Sequence, residues 1–296
     1  MSSIRVSKWL QERYPTLTQR QREEALEAGL VYLEGTERLK KGDKVKSLDS
    51  LNCKKLDSFL VELAKGRAVE GVSLILQEEG FLIVDKPSGV ATHPIGLFDT
   101  ETLTQWARFH YPTSIGEFPE PQATLTPHRL DIGTSGLVIV AIQREQFVLW
   151  RERFKSKKLI KTYLAWCWGT PQSSNYLCDY SIAHAAGDNR KMVALKGAVK
   201  SKPPVMEAES QIKVILRVPD KHIFLAEIEC STGVTHQVRV HMAALGFPLV
   251  GDELYDPDFN KRAIQRKFHA LRAVSLQWNK EIFTVSDKDF RAEFEK

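Results

Sequence analysis

The sequence predicts an α+β fold with an antiparallel or mixed central sheet, and three observations carry that prediction. Short runs rich in Val, Ile and Leu, at 72–77, 81–86, 137–142, 162–169, 211–218 and 223–230, follow one another with few helical stretches between them. The first two flank the turn Glu78-Glu79-Gly80, a hairpin signal. Neither a regular strand–helix alternation nor a fixed-period repeat is present, which disfavours a doubly wound sheet or a solenoid. At 296 residues, with 43% hydrophobic and 27% charged side chains, the chain has the size of one large domain plus a small one and enough apolar material for a sizeable core.

The small unit comes first. Val6, Trp9 and Leu10 fall at helical spacing, Pro15 breaks the run, and a second helical stretch extends from Gln19 to Ala28 before Gly29 ends it. The strand LVYLEG and the Lys-rich turn LKKGDKVKSL follow, giving the order helix, helix, strand, turn, strand. Over residues 1–50 this order resembles the S-four-like RNA-binding module. It departs from that module at Glu34-Gly35, where Asn-Gly is usual, and in carrying Glu23, Glu24 and Glu27 among its arginines. Residues 51–72 read as a linker that includes a short helix from about Leu56 to Lys65. The large domain occupies 73–296, and its helices are expected at Thr102–Tyr111, Arg144–Lys155, Thr235–Leu245 and Asn260–Ala270.

A net charge of +5 and a pI near 8.9 permit an acidic partner without requiring one. Two local clusters tilt the balance toward a polyanion. Arg151, Arg153, Lys155, Lys157, Lys158 and Lys161 are opposed only by Glu152, and Arg190, Lys191, Lys196, Lys200 and Lys202 only by Asp188. The four cysteines, Cys53, Cys167, Cys178 and Cys230, are scattered and form no C-x-x-C pair, as suits a reducing cytosol. The N-terminal stretch MSSIRVSKWLQERYP has charges where a signal peptide needs an apolar core, and no run approaches a membrane span. A soluble cytoplasmic protein without membrane contact is therefore expected, and the pattern specifies no oligomeric state. H-E-x-x-H, Walker A, G-x-S-x-G and G-x-G-x-x-G stretches do not occur, and His236 and His241 are five apart rather than four, so no metal site or cofactor is expected.

Two segments hold the candidate chemistry. In PHRLDIGTSGLVIVA, residues 127–141, Asp131 lies between apolar neighbours at the rim of a strand that should be buried. A carboxylate there stays ionised only if a cation or several donors hold it. Spacing alone favours a simple turn aspartate capping backbone N–H groups through Gly133 and Thr134. In CSTGVTHQVRVHMAALGFPLVGDELY, residues 230–255, Thr235 reads as an N-cap, and His236, Arg239, Val240 and Ala243 share one helical face. An arginine on a buried face needs a carboxylate. Tyr163, in KTYLAWCWG, opens an apolar strand and on its own reads as a core residue.

In the order DKPSGVATHP, HRLDIGTSGLVIVA, KTYLAWCWG, a Lys-Pro pair at 202–203 and TGVTHQVRVHMAALGFPLVGDELY, residues 74–286 resemble the RluA family of pseudouridine synthases. The resemblance implies a mixed, mostly antiparallel central sheet with a cleft along it. It also implies isomerisation of uridine in ribosomal or transfer RNA without cofactor or metal. By motif matching it assigns catalysis to Asp131, Tyr163 and Arg239, with Asp131 either stabilising or capturing the ribose C1′ or taking a proton from C2′. Arg239 would hold Asp131 ionised, and Tyr163 would pack on the uracil and assist removal of its C5 proton. Arg129 would help flip the uridine out of the RNA, and His128, Thr134, His236, Gln237 and Lys202 would contact substrate. Departures are Val234 in place of an arginine, Asp85 in the Asn-Lys-Pro motif and Met206 in place of a threonine. An RNA-binding or RNA-chaperone protein with a vestigial site is the alternative, and the complete Asp131, Tyr163 and Arg239 set weighs against it.

Overall fold

The computed structural model describes residues 4–35, 39–45, 51–188, 190–196 and 201–295. Lys200, of the second basic cluster, lies outside them. The N-terminal unit runs β1 (Ile4–Arg5), α1 (Val6–Arg13), α2 (Gln19–Glu27), β2 (Tyr32–Leu33), β3 (Lys44–Val45), β4 (Leu51–Asn52) and α3 (Lys54–Ala64). Thr18 and Gln21 cap α2 reciprocally, and Gly29 turns the chain out of it at φ +66°. The expected linker starts too early: β4 pairs with β2, and Leu56, Leu60 and Leu63 of α3 bury in one cluster with Val6, Leu10 and Leu26. The spacing of those leucines is that of an amphipathic helix, and a helix with an apolar face cannot serve as a solvated tether.

The larger unit follows as β5 (Ser73–Glu78), β6 (Phe81–Lys86), α4 (Leu103–His110), α5 (Ser114–Glu117), β7 (Ser135–Ala141), α6 (Arg144–Lys155), β8 (Ile160–Trp168), β9 (Asn175–Cys178), β10 (Ile182–Ala185), β11 (Met192–Ala194), β12 (Ser201–Met206), β13 (Ser210–Val218), β14 (Ile223–Cys230), α7 (Gln237–Ala244), β15 (Leu271–Trp278), β16 (Glu281–Thr284) and α8 (Lys288–Ala292). Its main sheet has the order β5-β6-β7-β15-β8-β14-β13-β9, with β16 paired to β15. Only β7 and β15 run parallel; the other pairs are antiparallel, so the sheet is mixed and mostly antiparallel. A smaller sheet has the order β11-β10-β12.

Alternation along the central strands feeds two layers of core. Ala165 and Cys167 of β8 join Phe224, Ala226 and Ile228 of β14 on one face, while Leu164, Trp166 and Trp168 join Ile223 and Leu225 on the other. Val138 and Val140 of β7 likewise part from Leu137 and Ile139. Each such large side chain contributes roughly 1.5–3 kcal/mol on burial, and strands buried on both faces read as continuous apolar runs.

Two helix expectations need correction. Asn260–Ala270 is not a helix: beyond a single turn at Phe259–Lys261 it runs as loop. Arg262 is drawn onto both oxygens of Asp256 and over the Trp168 ring, and Arg266 pairs with Glu293. Tertiary ties thus override local propensity. The helix expected from Thr235 begins instead at Gln237, with His236 in the left-handed region at φ +58°. Gln237 accounts for this, because its side-chain oxygen accepts the Val234 N–H and the Thr232 hydroxyl, closing the loop that Thr235 was expected to cap.

Candidate active site

The site lies where β7 and β15 run parallel, beside the start of α7. Gly136 permits their approach: its φ is +112°, and a Cβ there would overlap the Ala273 carbonyl oxygen. Gly133 is similarly confined, since its Cβ would stand 2.8 Å from the His269 ring. The Gly-Thr-Ser-Gly stretch therefore folds Asp131 tightly onto the strand ends. The turn is closed by the Thr134 N–H donating to the Asp131 carbonyl at 3.0 Å.

Arg239 occupies the centre. Its Nε and Nη2 donate to the two oxygens of Asp252, each at 2.8 Å, and its Nη1 donates to Asp131 Oδ2 at 3.1 Å. The guanidinium also stands 5.0 Å from the centroid of the Tyr255 ring. One buried arginine thus serves two carboxylates: Asp252, fully enclosed, fixes its plane, and Asp131 receives the remaining edge. Asp252 in turn accepts the Leu254 and Tyr255 N–H groups.

Burial alone would push the Asp131 carboxyl up, but His236, Arg239 and His269 together bring it below its ordinary value. Burial pushes both imidazoles down, His269 to about 4, so at neutral pH the positive charge facing Asp131 is that of Arg239. The two histidines are fixed in place, His236 Nδ1 lying 2.8 Å from the Tyr255 hydroxyl and His269 Nε2 2.8 Å from Thr134 Oγ1. His236 Nε2 stands 3.7 Å from Asp131 Oδ2. Its left-handed backbone stores strain, a feature that concentrates at functional sites.

Asp131, Tyr163, Thr134, Arg129, His236, Gln237 and Arg239 all line one cleft of about 140 Å³, together with Cys230 and Val234. Tyr163 projects from β8 between two core clusters, and burial, then Cys230 and Asp131, push its phenol well above the usual range. It therefore presents a neutral aromatic face. Arg129 is exposed and makes no hydrogen bond or ion pair among the described residues. Gln237 is fully engaged, its amide donating to the Glu209 carbonyl and the Ser210 hydroxyl.

Two expected substrate contacts lie outside this cleft. His128 stacks on Phe154 at 4.2 Å and its Nε2 accepts the Ile139 N–H at 2.9 Å, a structural position in which burial and then Lys161 push its pKa down to about 3. Lys202 sits on the exposed strand β12, opposite His184. The basic cluster at 151–161 is also divided: Lys161 is buried, Arg153 lies over Trp150, and Lys155 and Lys157 pair with Glu152 and Glu207.

Sequence reasoning missed Asp252, Tyr255 and His269. The first two sit inside the quoted GDELY stretch, and an arginine on a buried helical face followed 13 residues later by Gly-Asp was the available signal. Lys86 was missed as well. Fully buried, with its pKa brought down to about 8 by burial against the opposing pull of Asp131 and Asp85, it donates to the Pro87, Val90 and Ile132 carbonyls and so ties the Asp131 turn to the neighbouring loop. Asp85 pairs with Arg272 of β15 through both oxygens, at 3.1 and 2.6 Å, which gives the unusual Asp-Lys-Pro a structural role.

Residues 80–244 match the sequence model described as RNA pseudouridylate synthase. The chain belongs to the RNA pseudouridylate synthase family. Among its relatives, an uncharacterized RNA pseudouridine synthase of Bacillus subtilis is 28% identical over 253 residues, covering 83% of this chain and 80% of the relative. The ribosomal large subunit pseudouridine synthase C of Rickettsia felis is 26% identical over 296 residues, covering 95% and 90%. The solved structure of human RNA pseudouridylate synthase domain containing 1 superposes with a TM-score of 0.60 at 25% identity, covering 74% of this chain and 84% of that one. As a pseudouridylate synthase the chain is an enzyme, and its activity is the isomerisation of uridine in RNA. Among the described residues no helix is long and apolar enough to cross a membrane.

Proposed function

We propose that this pseudouridylate synthase converts specific uridines of ribosomal or transfer RNA to pseudouridine in the cytoplasm, with Asp131 acting at the ribose. The observation that carries this reading is the sharing of Arg239 between Asp252 and Asp131. Breaking the glycosidic bond builds positive character at C1′ and negative charge on uracil, and a carboxylate kept ionised beside the sugar stabilises that separation. A lowered proton affinity favours this role over removal of the C2′ proton, which needs a stronger base. Tyr163, protonated at neutral pH, supplies a packing face for the freed uracil. Arg129, exposed at the mouth, is suited to the few kcal/mol of work needed to hold a uridine out of its stack. The ribosomal alternative draws support from the Rickettsia felis relative, named for the large ribosomal subunit and aligned over 95% of this chain.

Tritium release from RNA labelled at uridine C5 tests the proposal. Release by the wild type on ribosomal or transfer RNA, with none by Asp131→Asn although both bind, is the expected result. Release that persists in Asp131→Asn would refute the role of that residue, and binding of both RNAs without release would refute the substrate assignment.

A further inference from the structure

The small cleft opens into a groove of about 970 Å³ that shares Arg129, Asp131, His236 and Arg239 with it. One wall of the groove is the loop 93–99, and Lys267, Phe268 and Arg190 line it elsewhere. The loop is held from behind by the N-terminal unit. Leu97 is fully buried in the same cluster as Leu10 and Leu56, and its N–H donates to the Glu24 carboxylate of α2. The Gln21 amide donates to the Ile95 carbonyl and to Gln122, which itself donates to the Leu97 carbonyl at 3.1 Å. Phe98 meets Phe59 of α3 edge to face at 5.3 Å. Asp99 closes the loop by accepting the Ile95 and Gly96 N–H groups.

On this braced loop Ile95 remains 52% exposed and Phe98 47% exposed, although both line the groove. Apolar side chains fixed at the rim, with the cations Arg129, Arg190 and Lys267 along the same groove, match the chemistry of an unpaired RNA strand. Bases pack on the apolar faces and phosphates meet the cations. Arg190 is held by Asp188, and the acids Asp99, Glu101 and Glu253 also line the groove, so the phosphates would be steered toward Arg129 and Lys267. Of the α2 arginines, Arg20 forms an exposed i,i+4 pair with Glu24, and Arg22 donates to the Leu17 carbonyl.

We propose that loop 93–99 is a contact site for unpaired nucleotides flanking the target uridine, and that the N-terminal unit serves RNA recognition by holding this loop in place. The proposal rests on the reading of the protein as an RNA-modifying enzyme and extends it to residues outside the cleft.

The test uses the full chain with ribosomal and transfer RNA, measuring binding by fluorescence anisotropy and C5 tritium release at low and saturating RNA. Phe98→Ala is expected to weaken binding about tenfold, the scale of one lost base-stacking contact, and its slower release should recover at saturating RNA. Ile95→Ala and Glu24→Ala should act in the same direction with smaller effect, and Phe98→Tyr should restore binding. If Phe98→Ala and Ile95→Ala bind as the wild type does, or if Phe98→Ala loses activity only through a lower melting temperature, the proposal fails. Because binding is read separately, a wild type that binds RNA without releasing label would refute the isomerisation reading and leave the loop to be judged on affinity.

Discussion

The interior of the cleft and the groove outside it hold their charged groups in opposite ways. Inside, Arg239 is fully committed, bound to Asp252 through Nε and Nη2 and to Asp131 through Nη1, with the Tyr255 ring against it. Outside, among the described residues, Arg129 is exposed and unpaired, and the exposed Lys267 lies over the face of Phe268. A group that must present fixed charge to a transition state gains from over-determined geometry, whereas a group that must capture a large polyanion gains from freedom to move onto it. The same residue type therefore does different work according to how many partners the fold supplies.

The comparison can be broken most severely at Asp131. Asp131→Asn should lower the rate of uridine isomerisation by ~10⁴-fold or more, as expected when one member of a concerted group is lost, with RNA affinity retained in anisotropy measurements. Next comes the clamp. Arg239→Ala leaves Asp252 buried without its cation and should cost about 3–5 kcal/mol in denaturant unfolding, in addition to abolishing activity. Stability equal to wild type would mean that the arginine is not structurally committed.

In the groove, Arg129→Ala and Lys267→Ala should leave unfolding unchanged and weaken RNA binding. Each should also flatten the slope of log affinity against log salt by about one. A change in melting temperature in place of a change in salt slope would erase the contrast between the two regions.

A further effect, confined to acid pH, concerns stability. His128 and His269 are held down in the folded protein, to about 3 and about 4, mainly by burial. Below about pH 6.5 the unfolded chain takes up protons that the folded chain excludes. Stability should therefore fall as pH drops through that value toward 3. In urea titrations His128→Gln should show a shallower decline, and an unaltered slope would contradict the assignment.

What the sequence made legible follows from how locally each feature is encoded. Strand β7 is a continuous apolar run, and β8, β13 and β14 are dominated by apolar residues, so all four could be read directly, whereas β15, the strand that parallels β7, carries Arg272, Ser275 and Gln277 among its apolar residues and went unread. Arg272 is there to meet Asp85, a partner 187 residues away, so no local window could have justified it. The same holds at the site. Asp131 looked like a turn residue until its arginine was placed beside it, and the motif resemblance supplied that link before the geometry did. His128 went the other way: it shares a motif with Asp131, yet the fold turns it onto Phe154 and Ile139.

The central claim is that His236, Arg239 and His269 together hold the Asp131 carboxyl below its ordinary value, with Arg239 supplying the direct hydrogen bond. The acid limb of single-turnover C5 tritium release measures this directly, with circular dichroism confirming that the protein stays folded. The rate should hold as pH falls to about 5 and decline only near or below the ordinary aspartate value of about 4. Asp252→Asn, which loosens the arginine, should move the decline upward. A wild-type rate already half lost at about pH 5 or above, or an acid limb that does not move in Asp252→Asn, would contradict the account.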